Sequence, residues 1–168
     1  MIELRILGSP NLVGEDGNQL LSVLRRPKRL ALLSFMAVEC LGTYLRRDRL
    51  LGLLWPDSEE RKARSSLSEA LSQLRGSLGS AVVSTRGKEE IGLSPDHIWC
   101  DAADVLAAGG TDPDLERVAA LYRGPLLDGF LLDDSSGFDH WLDSRRGRLE
   151  RIALDALGRL TDAAEAYG

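Results

Sequence analysis

Cysteine is scarce in this chain, and the two that occur, Cys40 and Cys100, stand in no CxxC or Cys/His spacing. Their apolar neighbours predict reduced, structural side chains and exclude a disulfide framework. Apolar runs long enough to cross a bilayer are missing, and Glu3 and Arg5 interrupt the first apolar segment, which is unlike a signal peptide. We therefore predict a soluble, cytoplasmic protein.

Motifs for catalysis or cofactor binding are missing as well. The two histidines, His97 and His140, are isolated, and the acids Asp133 and Asp134 lie in a predicted loop. The chain contains no Ser/His/Asp arrangement, no metal-ligand spacing and no phosphate loop ending in Gly-Lys-Ser or Gly-Lys-Thr. The sequence therefore predicts a protein that is not an enzyme and that binds no metal and no cofactor.

Charge is plentiful but unevenly distributed. The whole chain of 168 residues has a net charge of -5, which taken alone argues against a nucleic-acid partner. Residues 1–95 hold 14 Lys and Arg against 11 Asp and Glu, a net charge of +3, whereas residues 96–168 hold 7 against 15, a net charge of -8. We predict two domains, 1–96 and 97–168, with the basic charge in the first.

The first domain is predicted to begin with a small antiparallel sheet of about three strands. Residues 2–7 alternate apolar and charged side chains, and the apolar pieces 11–13 and 19–24 flank a turn-forming stretch between them. Pro27 then suits the first turn of a nearly all-apolar helix that continues to Leu41 and forms a buried spine.

A short helix over residues 48–55, a tight corner and a second helix follow. Pro56 ends the first helix, and Asp57 followed three residues later by Glu60 is a capping-box pattern for the second, which runs from near Ser58 to Leu78. The second helix has an apolar stripe of Ala63, Leu67, Ala70, Leu71, Leu74 and Leu78, and an opposite face of Arg61, Lys62, Ser65, Ser68, Ser72 and Gln73. This composition is typical of a DNA-reading helix, although ordinary solvated helices also carry charged outer faces.

Two short strand-like runs, 81–85 and 90–93, are joined by a turn in which Arg86 and Lys88 flank a glycine. A basic hairpin directly after a basic helix indicates the wing of a winged helix.

The second domain is predicted to be helical, with helices over 101–108, 112–122 and 138–167. Its pairs of helices resemble tetratricopeptide-type packing, in which neighbouring pairs supply the missing surface. The chain ends where such a pair needs its next partner, so we expect this domain to be truncated.

The motif LLWPD at residues 53–57 before a basic, serine-rich helix, the motif YRGPLLDGF at 122–130 and the pair Trp141-Leu142 resemble the Streptomyces antibiotic regulatory protein (SARP) type of bacterial transcriptional activator. The resemblance covers essentially the whole chain. It implies a mainly α fold with small antiparallel β elements, in which an N-terminal winged helix-turn-helix of the response-regulator output type precedes an all-helical, tetratricopeptide-like bacterial transcriptional activator domain. Within residues 1–168 we expect no receiver domain.

Taken with the charge pattern, the resemblance implies that the second helix enters the major groove of double-stranded DNA while the hairpin tip reaches the minor groove or its phosphates. The candidate DNA-binding residues are Arg61, Lys62, Arg64, Ser65, Ser68, Ser72, Arg86, Lys88, Arg47 and Arg26. Glu69 can repel phosphate or accept a hydrogen bond from cytosine, and the sequence leaves both open. The cations around Arg26 and Arg47 fit a solubilising cluster almost as well.

The resulting hypothesis is a sequence-specific DNA-binding transcriptional regulator. It is expected to be an activator that binds promoter direct repeats, as a homodimer on DNA, and recruits RNA polymerase or its sigma subunit. The direct repeats, the polymerase and the sigma subunit are implied by the resemblance only. The rival hypothesis is a protein–protein interaction module of winged-helix plus helical-repeat type that does not bind DNA.

Overall fold

The fold is mainly helical, and the computed structural model describes residues 1–168. The strands are β1 (Ile2–Arg5), β2 (Asn11–Val13), β3 (Leu45–Arg46), β4 (Val83–Arg86), β5 (Glu90–Leu93) and β6 (Ile98–Cys100). The helices are α1 (Leu21–Leu24), α2 (Pro27–Glu39), α3 (Arg47–Leu54), α4 (Glu60–Leu78), α5 (Asp101–Ala108), α6 (Leu115–Leu121) and α7 (Ser136–Ala166). None of these helices combines the length and apolarity that a membrane span requires.

The six strands form two small sheets. In the first, β1 lies between β2 and β6, antiparallel to β2 and parallel to β6, with Ile2 opposite Ile98 and Leu4 opposite Cys100. In the second, β5 lies between β3 and β4, and all pairs are antiparallel. The predicted alternation of β1 is confirmed, because Ile2 and Leu4 are buried whereas Glu3 is exposed.

The prediction of a third antiparallel strand over residues 19–24 is wrong. Only Gln19 makes an isolated bridge, to Val13, and the chain then enters the short helix α1, whose Val23 is fully buried. The second edge of β1 is occupied by β6, which arrives from far along the sequence. A strand over 19–24 could therefore have paired only with the outer edge of β2, which is three residues long. A helical turn instead places Val23 in the core.

The predicted spine helix is confirmed as α2, in which every residue from Leu30 to Ala37 is buried. The predicted apolar stripe of α4 is also confirmed, since all six of its residues are buried. The capping box is not: α4 begins at Glu60, its N-cap Glu59 makes no side-chain capping bond, and Asp57 lies in the preceding turn. Proline at 56 and a turn closed by the Ser58 N–H on the Trp55 carbonyl, at 3.3 Å, delay the start of the helix.

Buried hydrogen bonds tie β1 to the second half of the chain. The carboxylate of Asp101, which is 1% exposed, accepts hydrogen bonds from the backbone N–H groups of Ile6 at 2.8 Å and Leu7 at 3.1 Å. Burial raises the pKa of this carboxyl group, against the effect of those hydrogen bonds. The first turn of α5 is thereby attached directly to the end of β1.

The 122–130 segment closes the same end of β1. Its backbone N–H group at Leu127 donates to the Ile6 carbonyl at 2.7 Å, and Gly8 donates to the Pro125 carbonyl at 3.0 Å. Gly8 has φ +96°, and a Cβ on Gly124 would lie 3.3 Å from the Gly8 Cα, so glycine suits both positions. This segment holds β1 in place through backbone contacts.

Helix α7 packs on α2 and α3 through an aromatic cluster and an ion-pair network. Trp141 stacks obliquely between Phe35 and Phe138, with ring centroids 4.9 and 5.2 Å away. Its indole N–H donates to the Glu39 carboxylate at 2.8 Å, and Arg145 donates to the same oxygen at 2.6 Å. Burial raises the pKa of Glu39, but the hydrogen bonds from Arg145 and Trp141 and the charges of Arg145 and Arg49 lower it more, so the net pKa falls.

Beyond this contact the last turns of α7 are exposed. Leu149, Ala153 and Ala156 are buried, whereas Leu157 is 47% exposed. Helix α7 extends past the region that α5 and α6 cover, so its final residues have no neighbouring element.

Both halves of the chain contribute to one hydrophobic core, which reaches from Ile2 to Ala156. β6 follows residue 96 yet pairs with β1, and the division at residue 96 stays a prediction. Cys40 and Cys100 are free and buried in this core, and burial raises the pKa of each thiol to about 12.

Candidate nucleic-acid interface

The outer face of α4 is an extended polar surface in the first half of the chain. Because its apolar stripe is buried against α2 and α3, the opposite side of this 19-residue helix faces solvent. The exposed residues of that side include Arg61, Lys62, Ser65, Ser68 and Ser72. Five of the ten sequence-predicted site residues therefore share one solvent-facing helix surface.

Arg61 and Lys62 differ from the neighbouring Arg64 in having no carboxylate partner. The ion pairs of this region involve other cations, so both side chains are available to an external anion. The hydroxyl groups of Ser65 and Ser68 make no hydrogen bond within the protein either. The outer face of α4 thus presents unpaired cations beside unpaired hydroxyl donors.

Arg64 links three elements. Its guanidinium group contacts Glu60 at 3.2 Å in its own helix, Asp48 at 3.1 Å in α3 and Glu89 at 3.7 Å in the turn between β4 and β5. The hydrogen bond to Glu60 and the charges of the three carboxylates raise the pKa of Arg64, so it stays protonated. Arg64 therefore holds the helix–corner–helix unit against the hairpin, and it reaches an external phosphate only by exchanging partners.

The β4–β5 hairpin lies at the position of the predicted wing, and Gly87 has φ +64° in its turn. Arg86 donates two hydrogen bonds to Glu90, at 2.7 and 2.9 Å, and its guanidinium lies 4.6 Å from the ring centroid of Tyr44. The hydrogen bond from Arg86 lowers the pKa of Glu90. Lys88 is exposed at the tip and joins no ion pair, so it is the available cation of the wing.

Arg26 lies at the amino-terminal end of α2, beside α4. Arg26, Pro27, Lys28 and Arg29 line one side of a cleft of ≈ 350 Å³, and Ser66, Glu69, Ala70 and Gln73 of α4 line the other. Glu69 is thus the acid between the outer face of α4 and the cations of α2. Arg47 opens α3, is half-buried, and its buried Nε has no hydrogen-bond partner.

The ion pairs that Arg64 and Arg86 form within the protein were not predicted from the sequence. The i,i+4 spacing of Glu60 with Arg64 in a helix was a visible signal for one of these pairs, and the position of Arg86 opposite Glu90 across the predicted hairpin was the signal for another. The contact of Arg64 with Asp48 joins residues 16 positions apart in sequence, and only the packing of α3 on α4 produces it.

The fold has a solved counterpart, although no family model and no curated protein matches the sequence. The chain is similar to EmbR of Mycobacterium tuberculosis, solved in complex with a low-affinity phosphopeptide, with a TM-score of 0.65 and 24% sequence identity. The chain therefore shares its fold with the matching part of EmbR. The match covers 92% of this chain and 43% of the EmbR chain, so the protein spans less than half the length of that structure.

Proposed function

We propose that the protein is a DNA-binding transcriptional regulator in which α4 enters the major groove and the wing contacts phosphates beside it. The observation that carries this proposal is the outer face of α4, with unpaired Arg61 and Lys62 next to exposed serines. The fold shared with EmbR and the resemblance of the sequence motifs to SARP-type regulators agree with it.

The α4 surface suits DNA because its rigidity and its donors match what groove recognition needs. Six buried apolar residues hold the helix, so its outer side chains are presented without a further ordering of the backbone. Arginine and lysine donate to guanine edges or phosphates, and serine hydroxyls donate to phosphates. Arg61, Ser65, Ser68 and Ser72 follow one another along one side of the helix, which is the geometry of a groove-reading surface.

The end of α2 extends this basic surface sideways. Arg26 and Lys28 flank the cleft beside α4, where the unfavourable interaction of cations with the positive end of the helix dipole is relieved by a bound phosphate. Glu69 on the far wall of the cleft accepts a hydrogen bond from Gln73 at 3.2 Å and has a second carboxylate oxygen that can accept one from a cytosine amino group.

Salt dependence of DNA binding tests the proposal. The full chain is titrated by fluorescence anisotropy into a promoter fragment with a direct repeat and into a scrambled fragment, between low and moderate salt. Because phosphate contacts release counterions, log affinity is expected to fall linearly with log salt concentration. Absent binding at micromolar protein and low salt across a pool of genomic fragments would reject DNA binding and favour the interaction-module alternative.

The mode of regulation forms a further part of the proposal. We infer side-by-side binding to direct repeats, with two copies on one promoter, and activation through RNA polymerase or its sigma subunit. Footprinting on direct and inverted versions of one half-site pair separates the arrangements, since a two-fold symmetric dimer prefers the inverted version. If adding the protein to a purified transcription system lowers the amount of transcript, activation is rejected.

A further inference from the structure

We propose that an acidic pocket between the α3–α4 corner and the start of α7 is a docking site for a basic segment of a partner protein, which inserts an arginine or lysine side chain. The pocket has a volume of ≈ 340 Å³. It is lined by Pro56, Asp57, Asp134, Ser135, Ser136 and Asp139. Its charge is opposite in sign to that of the unpaired cations of α4 and the wing, so it suits a different partner.

The pocket concentrates negative charge that the protein itself does not neutralise. Residues 56–60 contain three acids and residues 128–144 contain five, and of these eight only Glu60 and Asp143 join an ion pair, with Arg64 and Arg146. Of the acids that line the pocket, Asp57, Asp134 and Asp139 are exposed and join no ion pair. The positive end of the α7 dipole reduces the repulsion among these carboxylates. This effect is limited to the first turn of the helix.

Ser135 supplies an observation independent of the acids. It is 2% exposed, it lines the pocket, and its Oγ has no hydrogen-bond partner. Although Ser135 is the N-cap residue of α7, its hydroxyl makes no capping hydrogen bond. A buried hydroxyl without a partner is unfavourable, and an N–H donor that enters the pocket deeply enough to reach this oxygen satisfies it.

The shape and lining of the pocket select a side-chain cation over other ligands. No group of three His, Cys, Asp or Glu residues is arranged to hold a metal ion. Apart from Pro56, every lining residue is an aspartate or a serine, so the pocket offers oxygen acceptors on several sides and no apolar patch for a hydrophobic ligand. A guanidinium or ammonium group carries several donors and matches such a set of acceptors.

The test measures binding of a labelled peptide of alternating arginine and alanine to the full chain at low salt. A peptide with glutamine in place of each arginine is the comparison. The site variant Asp57→Asn with Asp139→Asn is compared with the control variant Asp162→Asn with Glu165→Gln, whose acids are exposed at the far end of α7. Both variants change the net charge equally. We expect the site variant to weaken binding of the arginine peptide about tenfold and the control less than about twofold.

Ser135→Ala separates docking from a role in folding. Because the hydroxyl has no partner in the free protein, this variant is expected to keep or raise the melting temperature while weakening the arginine peptide about threefold. Equal weakening by the site and control variants would overturn the proposal, as would a lower melting temperature with unchanged peptide binding. Competition by millimolar Mg²⁺ that disappears in the site variant would assign the pocket to a metal ion instead, and self-association that disappears there would assign it to a second copy of the chain.

Discussion

The two halves of the chain have opposite charge and yet share one core. Residues 1–95 carry a net charge of +3 and place unpaired cations on the outer face of α4, whereas residues 96–168 carry -8 and contribute most of the acidic pocket. The contact of Trp141 with Phe35 and Glu39 joins them. The net charge of the whole chain, -5, therefore describes neither the outer face of α4 nor the acidic pocket. It is a poor guide to what binds at each of these two surfaces.

The largest effect is expected from breaking the contact between the halves. Trp141→Ala removes a buried indole that packs on Phe35 and Phe138 and leaves Glu39 with fewer donors, so we expect a loss of about 3–5 kcal/mol in the free energy of unfolding. Urea unfolding followed by circular dichroism measures it. The control Trp99→Ala removes a half-buried indole and should lose less, and a loss below about 1 kcal/mol for Trp141→Ala would mean that the halves are not coupled through this residue.

The next effect concerns the basic half alone. Arg61→Ala with Lys62→Ala removes the unpaired cations of α4, and we expect DNA affinity to fall about 10- to 100-fold, with a shallower salt dependence because the variant neutralises fewer phosphates. The matched control is Arg148→Ala with Arg151→Ala, which removes two exposed arginines of α7. If the control loses as much DNA affinity as the α4 variant, DNA binding depends on the total charge of the protein and not on the cations of the first half.

Acid pH is expected to weaken the junction. The folded protein lowers the pKa of Glu39 below its usual value of 4.5, so its stabilising effect is complete above that value and is lost as pH falls through the lowered pKa. The melting temperature of the wild type should therefore fall more steeply than that of Glu39→Gln below about pH 4.5. Parallel curves for the two proteins at acid pH would show that Glu39 has the same pKa in the folded and unfolded chains.

The smallest effect distinguishes the two cations of the wing. Lys88 is unpaired whereas Arg86 is held by Glu90 and Tyr44, so Lys88→Ala should weaken DNA binding about threefold for all sequences, and Arg86→Ala less. Anisotropy titrations on two unrelated fragments provide the measurement. A change in sequence preference for Lys88→Ala would indicate that the wing reads bases or groove width rather than phosphates.

Elements with a strong local pattern could be predicted from the sequence. α2 and α4 carry long apolar sets with a clear period, and the bounds of β5 and α5 agree with the predicted ones. Neither α1 nor the pairing of β6 with β1 could be predicted in the same way. A short apolar run fits a strand or a helical turn equally well, and only the elements packed around it determine which one forms. The capping box failed for a similar reason, since the turn after Pro56 shifts the start of α4 to Glu60.

For the candidate site, the exposed face of α4 was predictable and the state of its charges was not. A stripe of six apolar residues requires that Arg61, Lys62 and the serines face outward. Arg64 was a candidate DNA-binding residue like Arg61, but packing brings Asp48 and Glu89 to it and so changes its role. The acidic pocket had no sequence signal as a unit, because Asp57 and Asp134 are brought together only by the fold.

The sequence by itself determined which helices are amphipathic, which residues are buried in α2 and α4, and that basic charge is concentrated in the first half, because these properties depend on the order and spacing of neighbouring residues. The tertiary structure alone decided which cations remain unpaired, which acids share a pocket, and that β1 is completed by β6. Ion pairs, pockets and sheet edges require residues far apart in the chain to meet, and that depends on how the elements pack.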